Sequence, residues 1–194
     1  MFDALFNYIE NYAKSNLSAD DKKLIEQTFK LRKLRKRQYY LQAGDINKQI
    51  GFVLKGAFRM YSVDDRGHEH IVRFSLENWW VADYESYMLQ TPSKYNIDAV
   101  EDAEILIISN TQREELQTQI PAFADMIKEL DKRANIATQN RVHAAISLTA
   151  EERFNNLQNT YPYFLQRFPQ SMIASYLGIS PETLSRIRKA SVGR

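Results

Sequence analysis

In the first thirty residues, apolar side chains recur every three or four positions. Phe2, Leu5, Phe6 and Ile9 follow this spacing, which predicts an amphipathic helix over residues 2–12. Ser18 is a good N-cap and predicts the start of a second helix. The following residues, 30–37, read KLRKLRKR and contain six cations. We expect a solvated connector into the first strand with both leucines turned inward, although a nucleic-acid or membrane patch is the alternative.

From residue 38 to residue 109 the pattern changes to short runs rich in β-branched and aromatic residues. Turn formers separate these runs, which predict strands at 39–41, 50–54, 57–63, 70–76, 96–100 and 105–108. Few of the runs have a helical pattern between them, which favours antiparallel pairing. The predicted fold class is α+β, with an N-terminal antiparallel β jelly roll.

After residue 110 the helical spacing returns, first over 111–118 and then without a break from Ala122 to about Ser147. The apolar residues of the long helix form a rough 4–3 seam, interrupted by Arg141. Such a seam packs either on its own domain or on the same helix of a second subunit. We predict a homodimer with the seam residues Phe123, Ile127, Leu130, Ala134 and Ala137 at its interface.

Residues 170–189 predict a helix-turn-helix, because their apolar positions pack together only if a helix bends near residue 178. Gly178 tolerates the positive φ that ends the first helix. Ser180 can cap the second helix, Pro181 suits its first position, and Ala174 is small where the helices cross. The alternative is a helical hairpin with a solvated charged face.

The outer face of the second helix carries residue types that recognise DNA. Arginine pairs with guanine edges, glutamate accepts a hydrogen bond from cytosine N4, and other polar or cationic groups hold phosphates. The predicted DNA-binding residues are Glu182, Thr183, Ser185, Arg186, Arg188 and Lys189, together with Ser171 on the first helix.

The total charge does not support DNA binding, but the position of the charged residues along the chain does. The net charge of +2 does not itself predict nucleic-acid binding, but residues 147–194 hold six Arg or Lys against three Glu. The sequence contains no Cys, which excludes disulfides, thiolate metal sites and iron–sulfur clusters and fits a reducing cytoplasm. We expect no signal peptide and no membrane span.

Two rival functions follow from other features. The His-x-His pair in His68-Glu69-His70, on a predicted strand, matches the first two ligands of a cupin-like metal site. However, Glu77 comes too late in the sequence for the usual third ligand, and His143 lies on the long helix. The second rival is a ligand-sensing interaction module that does not bind DNA. We expect neither enzymatic activity nor a bound metal.

The order of these parts resembles the Crp/Fnr family of bacterial transcription regulators. The resemblance depends on FVLKGAFR (52–59), DRG (65–67), AEER (150–153), IASYLG (173–178) and PETLSR (181–186). It implies a cyclic-nucleotide-binding-like sensor domain over 1–118, a dimerisation helix over 119–147 and a winged helix-turn-helix domain over 148–194. The pattern is similar to members from Bacteroidetes-like bacteria.

The resemblance also implies roles for individual residues. Glu182, Ser185 and Arg186 match the E-x-x-S-R positions that face base edges, and the implied operator is an inverted repeat. Pro181 stands where the family often has a polar residue, which leaves the outer base of each half-site undefined.

The family's effector pocket would correspond to Trp80, Asp83, Lys94 and Tyr95 here. Asp83 is shorter than the family's glutamate, and Lys94 lacks the fork of its arginine. We therefore expect either an unidentified small-molecule effector in place of cyclic AMP or a domain that keeps the fold without a ligand, and no certain cofactor. The implied partners are double-stranded DNA, a second copy of the chain and RNA polymerase, and we expect no membrane partner.

Overall fold

A computed structural model describes residues 1–192, so the last two residues of the predicted DNA-binding domain lie outside the described chain. The N-terminal half consists of helices and short strands in this order: α1 (Asp3–Ala13), α2 (Ala19–Thr28), β1 (Lys30–Leu34), β2 (Tyr39–Leu41), β3 (Gln49–Lys55), β4 (Phe58–Val63), β5 (Glu69–Ser75), β6 (Trp80–Val81), α3 (Tyr84–Leu89), β7 (Asn96–Ala99) and β8 (Ala103–Ser109). Six helices follow in the described residues: α4 (Asn110–Gln119), α5 (Pro121–Ser147), α6 (Ala150–Thr160), α7 (Phe164–Arg167), α8 (Gln170–Leu177) and α9 (Pro181–Val192).

The strands form two four-stranded sheets, as the jelly-roll prediction requires. Their orders are β1-β8-β3-β6 and β2-β7-β4-β5, with antiparallel pairing of β1 with β8, β3 with β8 and β2 with β7. Adjacent residues of β3 point to opposite faces, as strand geometry dictates. Phe52 packs among the helices α1, α2, α4 and the start of α5, whereas Val53 packs in the other core with β2 and β7 residues. The predicted α+β fold class is confirmed.

The basic run at residues 30–37 contains strand β1, which the sequence pattern did not predict. Leu34 is 3% exposed, as expected, but Leu31 is 39% exposed. The expectation for Leu31 was wrong because alternate residues of a strand face opposite sides. Lys33 pairs with Glu104 on β8 at 2.8 Å, so part of the charge is used to pair the two strands.

The first turns of α5 belong to the core of the N-terminal half. Phe123 is fully buried and Ile127 is 8% exposed, both among residues of α1, α2 and β8. Leu130 packs partly against the same core. The prediction that Phe123 and Ile127 form a dimer seam was therefore wrong, because a 4–3 spacing does not distinguish a chain's own core from a partner. Ala134 and Ala137 are exposed.

The chain divides into two compact units. The first unit contains residues 1–60 and 74–135, and the second contains residues 61–73 together with the chain from residue 136. The tip of the β4–β5 hairpin thus belongs with the C-terminal helices. In the described part of the chain, no helix is both long enough and apolar enough to cross a membrane.

Candidate nucleic-acid interface

The turn between α8 and α9 is built by the residues that the sequence singled out. Gly178 has φ 67°, the left-handed conformation that glycine adopts without a side-chain clash. Its N–H donates to the Ser175 carbonyl at 3.1 Å, and the N–H of Ile179 donates to the Ala174 carbonyl at 3.0 Å. These bonds satisfy the last carbonyls of α8 and redirect the chain within two residues.

Ser180 begins α9. The Thr183 N–H donates to the Ser180 hydroxyl oxygen at 3.2 Å, which satisfies one of the free N–H groups of the first turn. Pro181 occupies the first helical position, where its missing N–H costs no hydrogen bond. The helix-turn-helix geometry predicted from the sequence is therefore present.

Apolar side chains from α7, α8 and α9 hold the two helices together. Ile173, Ala174 and Leu177 of α8 are buried, as is Leu184 of α9. Phe164 of α7 is 2% exposed and lies edge-on to Phe168 at 5.4 Å and to Tyr176 at 6.2 Å. This packing leaves the opposite face of α9 toward solvent.

The exposed face of α9 brings together most of the predicted DNA-reading residues. Successive residues of a helix rotate by about 100°, so Glu182, Arg186 and Lys189 share one side, and all three are exposed. Ser185 and Thr183 flank them and are half-buried. Arg188 is also half-buried and lies beside the buried Leu184 side, which separates it from the centre of this face.

Two side-chain contacts prepare this face for hydrogen bonding. The Arg186 guanidinium donates to Thr183 Oγ1 at 3.2 Å, and Ser180 Oγ lies 3.2 Å from the same oxygen. The Ser180 hydroxyl, the backbone N–H of Glu182 and the Arg186 charge lower the pKa of the Glu182 carboxyl, in that order of effect. At neutral pH the face therefore presents one carboxylate acceptor and one guanidinium donor side by side.

Ser171 is exposed on the first turn of α8, one turn from Ser175. The wing that the family resemblance implied has no counterpart among the helices α6 to α9. Within residues 1–192 every strand ends before residue 110, so the C-terminal helices have no β-hairpin of their own.

The four residues predicted for an effector pocket are engaged in contacts within the protein. Asp83 is 4% exposed and accepts a hydrogen bond from the Ser93 hydroxyl at 2.7 Å. Lys94 forms an exposed ion pair with Glu85 at 3.2 Å, and its Nζ lies 5.3 Å from the Tyr95 ring centre. Trp80 packs in an aromatic cluster, 5.3 Å from the Phe52 ring.

Asp83 belongs to a closed network of hydrogen bonds. Its N–H donates to Asn47 Oδ1 at 3.3 Å, the Asn47 N–H donates to Ser86 Oγ at 2.9 Å, and Ser86 Oγ donates to the Thr91 carbonyl at 2.5 Å. The side chains of Asp83, Asn47 and Ser86 are buried. Because the Asp83 carboxylate is buried within this network, it is not presented to a ligand.

A cavity of about 420 Å³ lies elsewhere, and the sequence did not point to it. Its lining comes from β1, β2 and the segment leading into β3, namely Arg32 and residues 39–42 and 45–49. The Arg32 guanidinium stacks 5.3 Å from the Tyr40 ring. The sequence signals near it were the basic run at residues 30–37 and the predicted strand at 39–41, and neither indicated a cavity.

The histidines of the metalloenzyme alternative have another role. His68 Nδ1 and His70 Nε2 lie 3.2 and 3.0 Å from the same oxygen of Asp64, and both rings are exposed. These contacts and backbone N–H groups hold the pKa of Asp64 well below its usual range. Glu77 accepts the N–H of Gly56 at 2.9 Å instead of facing the histidines. Among residues 1–192, no three His, Asp or Glu side chains are arranged to hold a metal ion.

Comparison with known proteins places both halves of the chain beside transcription regulators. The family model of the cyclic nucleotide-binding domain matches residues 31–119. The transcriptional activator protein Anr of Pseudomonas aeruginosa is 26% identical over 188 residues, covering 89% of this chain and 75% of that protein. The anaerobic regulatory protein of Haemophilus influenzae is 26% identical over 165 residues, covering 79% of this chain and 63% of that protein.

Among solved structures, the c-di-GMP responsive global regulator CLP of Xanthomonas campestris superposes with a TM-score of 0.66. The alignment covers 91% of this chain and 92% of that chain at 16% sequence identity. At this identity the likeness shows the fold alone. It extends over the jelly roll, the long helix and the C-terminal helices together.

Proposed function

We propose that this chain binds an inverted-repeat operator in double-stranded DNA as a homodimer, because it belongs to the Crp/Fnr family of transcriptional regulators. The observation that carries this proposal is the exposed face of α9, where Glu182, Arg186 and Lys189 lie together on a helix held by a capped, buried turn. A helix presented in this way fits the DNA major groove.

The proposed contacts differ by position on that face. Arg186 pairs with guanine O6 and N7, Glu182 accepts from a cytosine amine, and Ser185 leaves room for a thymine methyl. Lys189 and Thr183 hold phosphates at either side. Arg188 contacts the backbone from the edge of the helix, and Ser171 contacts it from α8.

Dimerisation is proposed along the exposed half of α5. Residues 131–143 are all exposed, yet Val142 and Ile146 are apolar and 53% and 80% exposed. They lie one turn apart, as do Ala134 and Thr138 before them, so they share a side of the helix. Two recognition helices held by this contact would meet half-sites about one DNA turn, ~34 Å, apart.

The sensor domain is proposed to respond to a small molecule other than cyclic AMP. The Asp83 carboxylate is buried and accepts a hydrogen bond from the Ser93 hydroxyl, so it is not presented at the surface to a ribose hydroxyl. Lys94 is engaged by Glu85 at the surface and offers no guanidinium fork to a cyclic phosphate.

The remaining assignments follow from the proposed role. The protein would act in the cytoplasm without enzymatic activity, contact RNA polymerase at its promoters and belong to a Bacteroidetes-like branch of the family. The sensor would comprise residues 1–118, the dimer helix residues 119–147 and the DNA-binding domain residues 148–194.

Selection of binding sites from random duplex DNA tests the proposal. We expect recovery of an inverted repeat, with an affinity that falls steeply as salt rises because each phosphate contact releases about 0.9 counterion. Random duplexes of the same length are the control. Equal affinity for selected and random duplexes would reject sequence-specific recognition, and no affinity at low salt would reject DNA binding.

The dimer contact is tested by Val142→Glu. Burying a valine contributes about 1.5 kcal/mol, and a twofold-symmetric contact uses each residue twice, so we expect the dimer dissociation constant to rise about a hundredfold. Sedimentation equilibrium measures it. Asn140→Glu adds the same charge at an exposed residue on the other side of the helix and should leave the dimer intact. An unchanged dimer in Val142→Glu would place the interface elsewhere.

A further inference from the structure

The tip of the β4–β5 hairpin, residues 61–73, forms one compact unit with the C-terminal helices. Strand β5 is the edge strand of its sheet, and an edge strand presents backbone N–H and C=O groups without a neighbouring strand. In this protein, side chains of the C-terminal helices form hydrogen bonds with backbone groups of Ile71 and Glu69 at this edge.

Ser175 of α8 makes two hydrogen bonds to the strand edge. Its hydroxyl donates to the Glu69 carbonyl at 2.7 Å and accepts the Ile71 N–H at 3.0 Å. A single hydroxyl that both donates and accepts between residues two apart replaces the pairing that another strand would give.

Arg141 of α5 also contacts Ile71. Its guanidinium donates to the Ile71 carbonyl over a long 3.4 Å and stacks on the Tyr176 ring at 4.5 Å. This arginine interrupted the apolar seam in the sequence pattern, and its contact with α8 and β5 accounts for the interruption. Both backbone groups of Ile71 are therefore held by the helices.

The hairpin tip lies on the outward side of α8. Ile173, Ala174 and Leu177 are the buried residues of this helix, whereas Ser175 lies one turn from the exposed Ser171, on the side away from that core. Ser171 is the proposed phosphate contact of α8. DNA approaching that side would meet the hairpin.

The charge of the hairpin tip also opposes DNA. Residues 61–73 contain Asp64, Asp65 and Glu69 against two arginines, a net charge of −1 with the histidines neutral. Fixed negative charge within a Debye length of phosphates, about 8 Å at physiological salt, weakens their binding. A wing that bound DNA would carry the opposite sign.

We propose that the β4–β5 hairpin tip is an autoinhibitory cover of the helix-turn-helix, latched by Ser175 and Arg141. In the latched state it occupies the outward side of α8 and keeps the DNA backbone away. Release of the two side chains from Ile71 frees that side. This inference rests on the proposed DNA-binding function.

Ser175→Ala removes both Ser175 bonds and leaves a small residue that α8 accommodates. We expect the Ile71 amide to exchange with solvent faster in the absence of DNA. Operator affinity at fixed salt should rise by up to about tenfold. Molecules in the closed state do not bind DNA, so the observed affinity is lower in proportion to the fraction that is open. Losing two hydrogen bonds destabilises the closed state enough to account for a change of about tenfold. Arg141→Gln should change both quantities in the same direction.

Ser147→Ala is the matched control, since Ser147 is an exposed serine of the same unit. Amide exchange is measured by NMR, and affinity by fluorescence anisotropy with the selected duplex. If Ile71 exchange becomes faster but operator affinity is unchanged or lower, the inhibitory role is overturned. The proposed function is then still upheld, provided that the parent protein binds DNA. Unchanged exchange in Ser175→Ala would show that the latch does not form. Failure of every form to bind DNA would overturn the proposed function and the cover together.

Discussion

Replacing Arg186 by alanine is expected to weaken binding to the selected operator by about 10- to 100-fold. A bidentate arginine–guanine contact contributes about 1–3 kcal/mol of discrimination. Arg186 is exposed and its guanidinium is oriented by Thr183, so the truncation removes a base contact without disturbing a buried group. Affinity for random DNA should change far less, and anisotropy titrations with both duplexes measure the difference.

Lys189→Ala is the matched variant, because Lys189 is a cation on the same exposed face of the same helix. As a phosphate contact it should weaken specific and random binding alike and lower the salt slope by about one. If Arg186→Ala and Lys189→Ala reduced both affinities in the same proportion, Arg186 would not read a base.

Gly56→Ala is expected to destabilise the first unit by about 2–4 kcal/mol. Gly56 has φ +95°, and a Cβ there would lie 2.8 Å from the Ala103 Cβ and 2.8 Å from the Asp102 carbonyl oxygen. The alanine therefore suffers a backbone conformation costing about 1 kcal/mol and an overpacking clash of about 1–3 kcal/mol. Scanning calorimetry measures the loss.

Gly44→Ala separates the two causes within the same unit. Gly44 has φ +94°, nearly the same value, but nothing lies within 4 Å of its ideal Cβ. Only the conformational cost of about 1 kcal/mol should appear. Equal losses in the two variants would mean that the contact with residues 102 and 103 contributes nothing.

The helix-turn-helix could be predicted from the sequence because its determinants are local. A glycine at the end of α8 and a serine and proline at the start of α9 specify the turn through interactions within a few residues. The jelly roll was predictable for a similar reason, since its turns are marked by glycine, proline and aspartate. In each case neighbouring residues determine the backbone.

Properties that depend on distant parts of the chain were not predictable. Strand β1 was hidden because its charges are stabilised by β8, seventy residues later, through contacts such as Lys33–Glu104. The seam residues Phe123 and Ile127 face a core built from α1 and α2, which no helical period reveals. The sequence suggested that Asp83 binds a ligand, and only the folded chain shows that Asp83 is buried and that its Oδ2 accepts a hydrogen bond from Ser93.

The uneven burial of helix α5 affects the stability of the helix. Its buried residues all lie within Pro121–Ile127, while most of the remaining twenty are exposed. A segment of that length with so few buried residues is only marginally helical in water, since most helical stability in proteins comes from a buried face. In a dimer paired along this segment, helix formation and association would be one linked equilibrium, so dilution would fray the helix as it separates the subunits. Protein concentration itself would then be an input to the regulator.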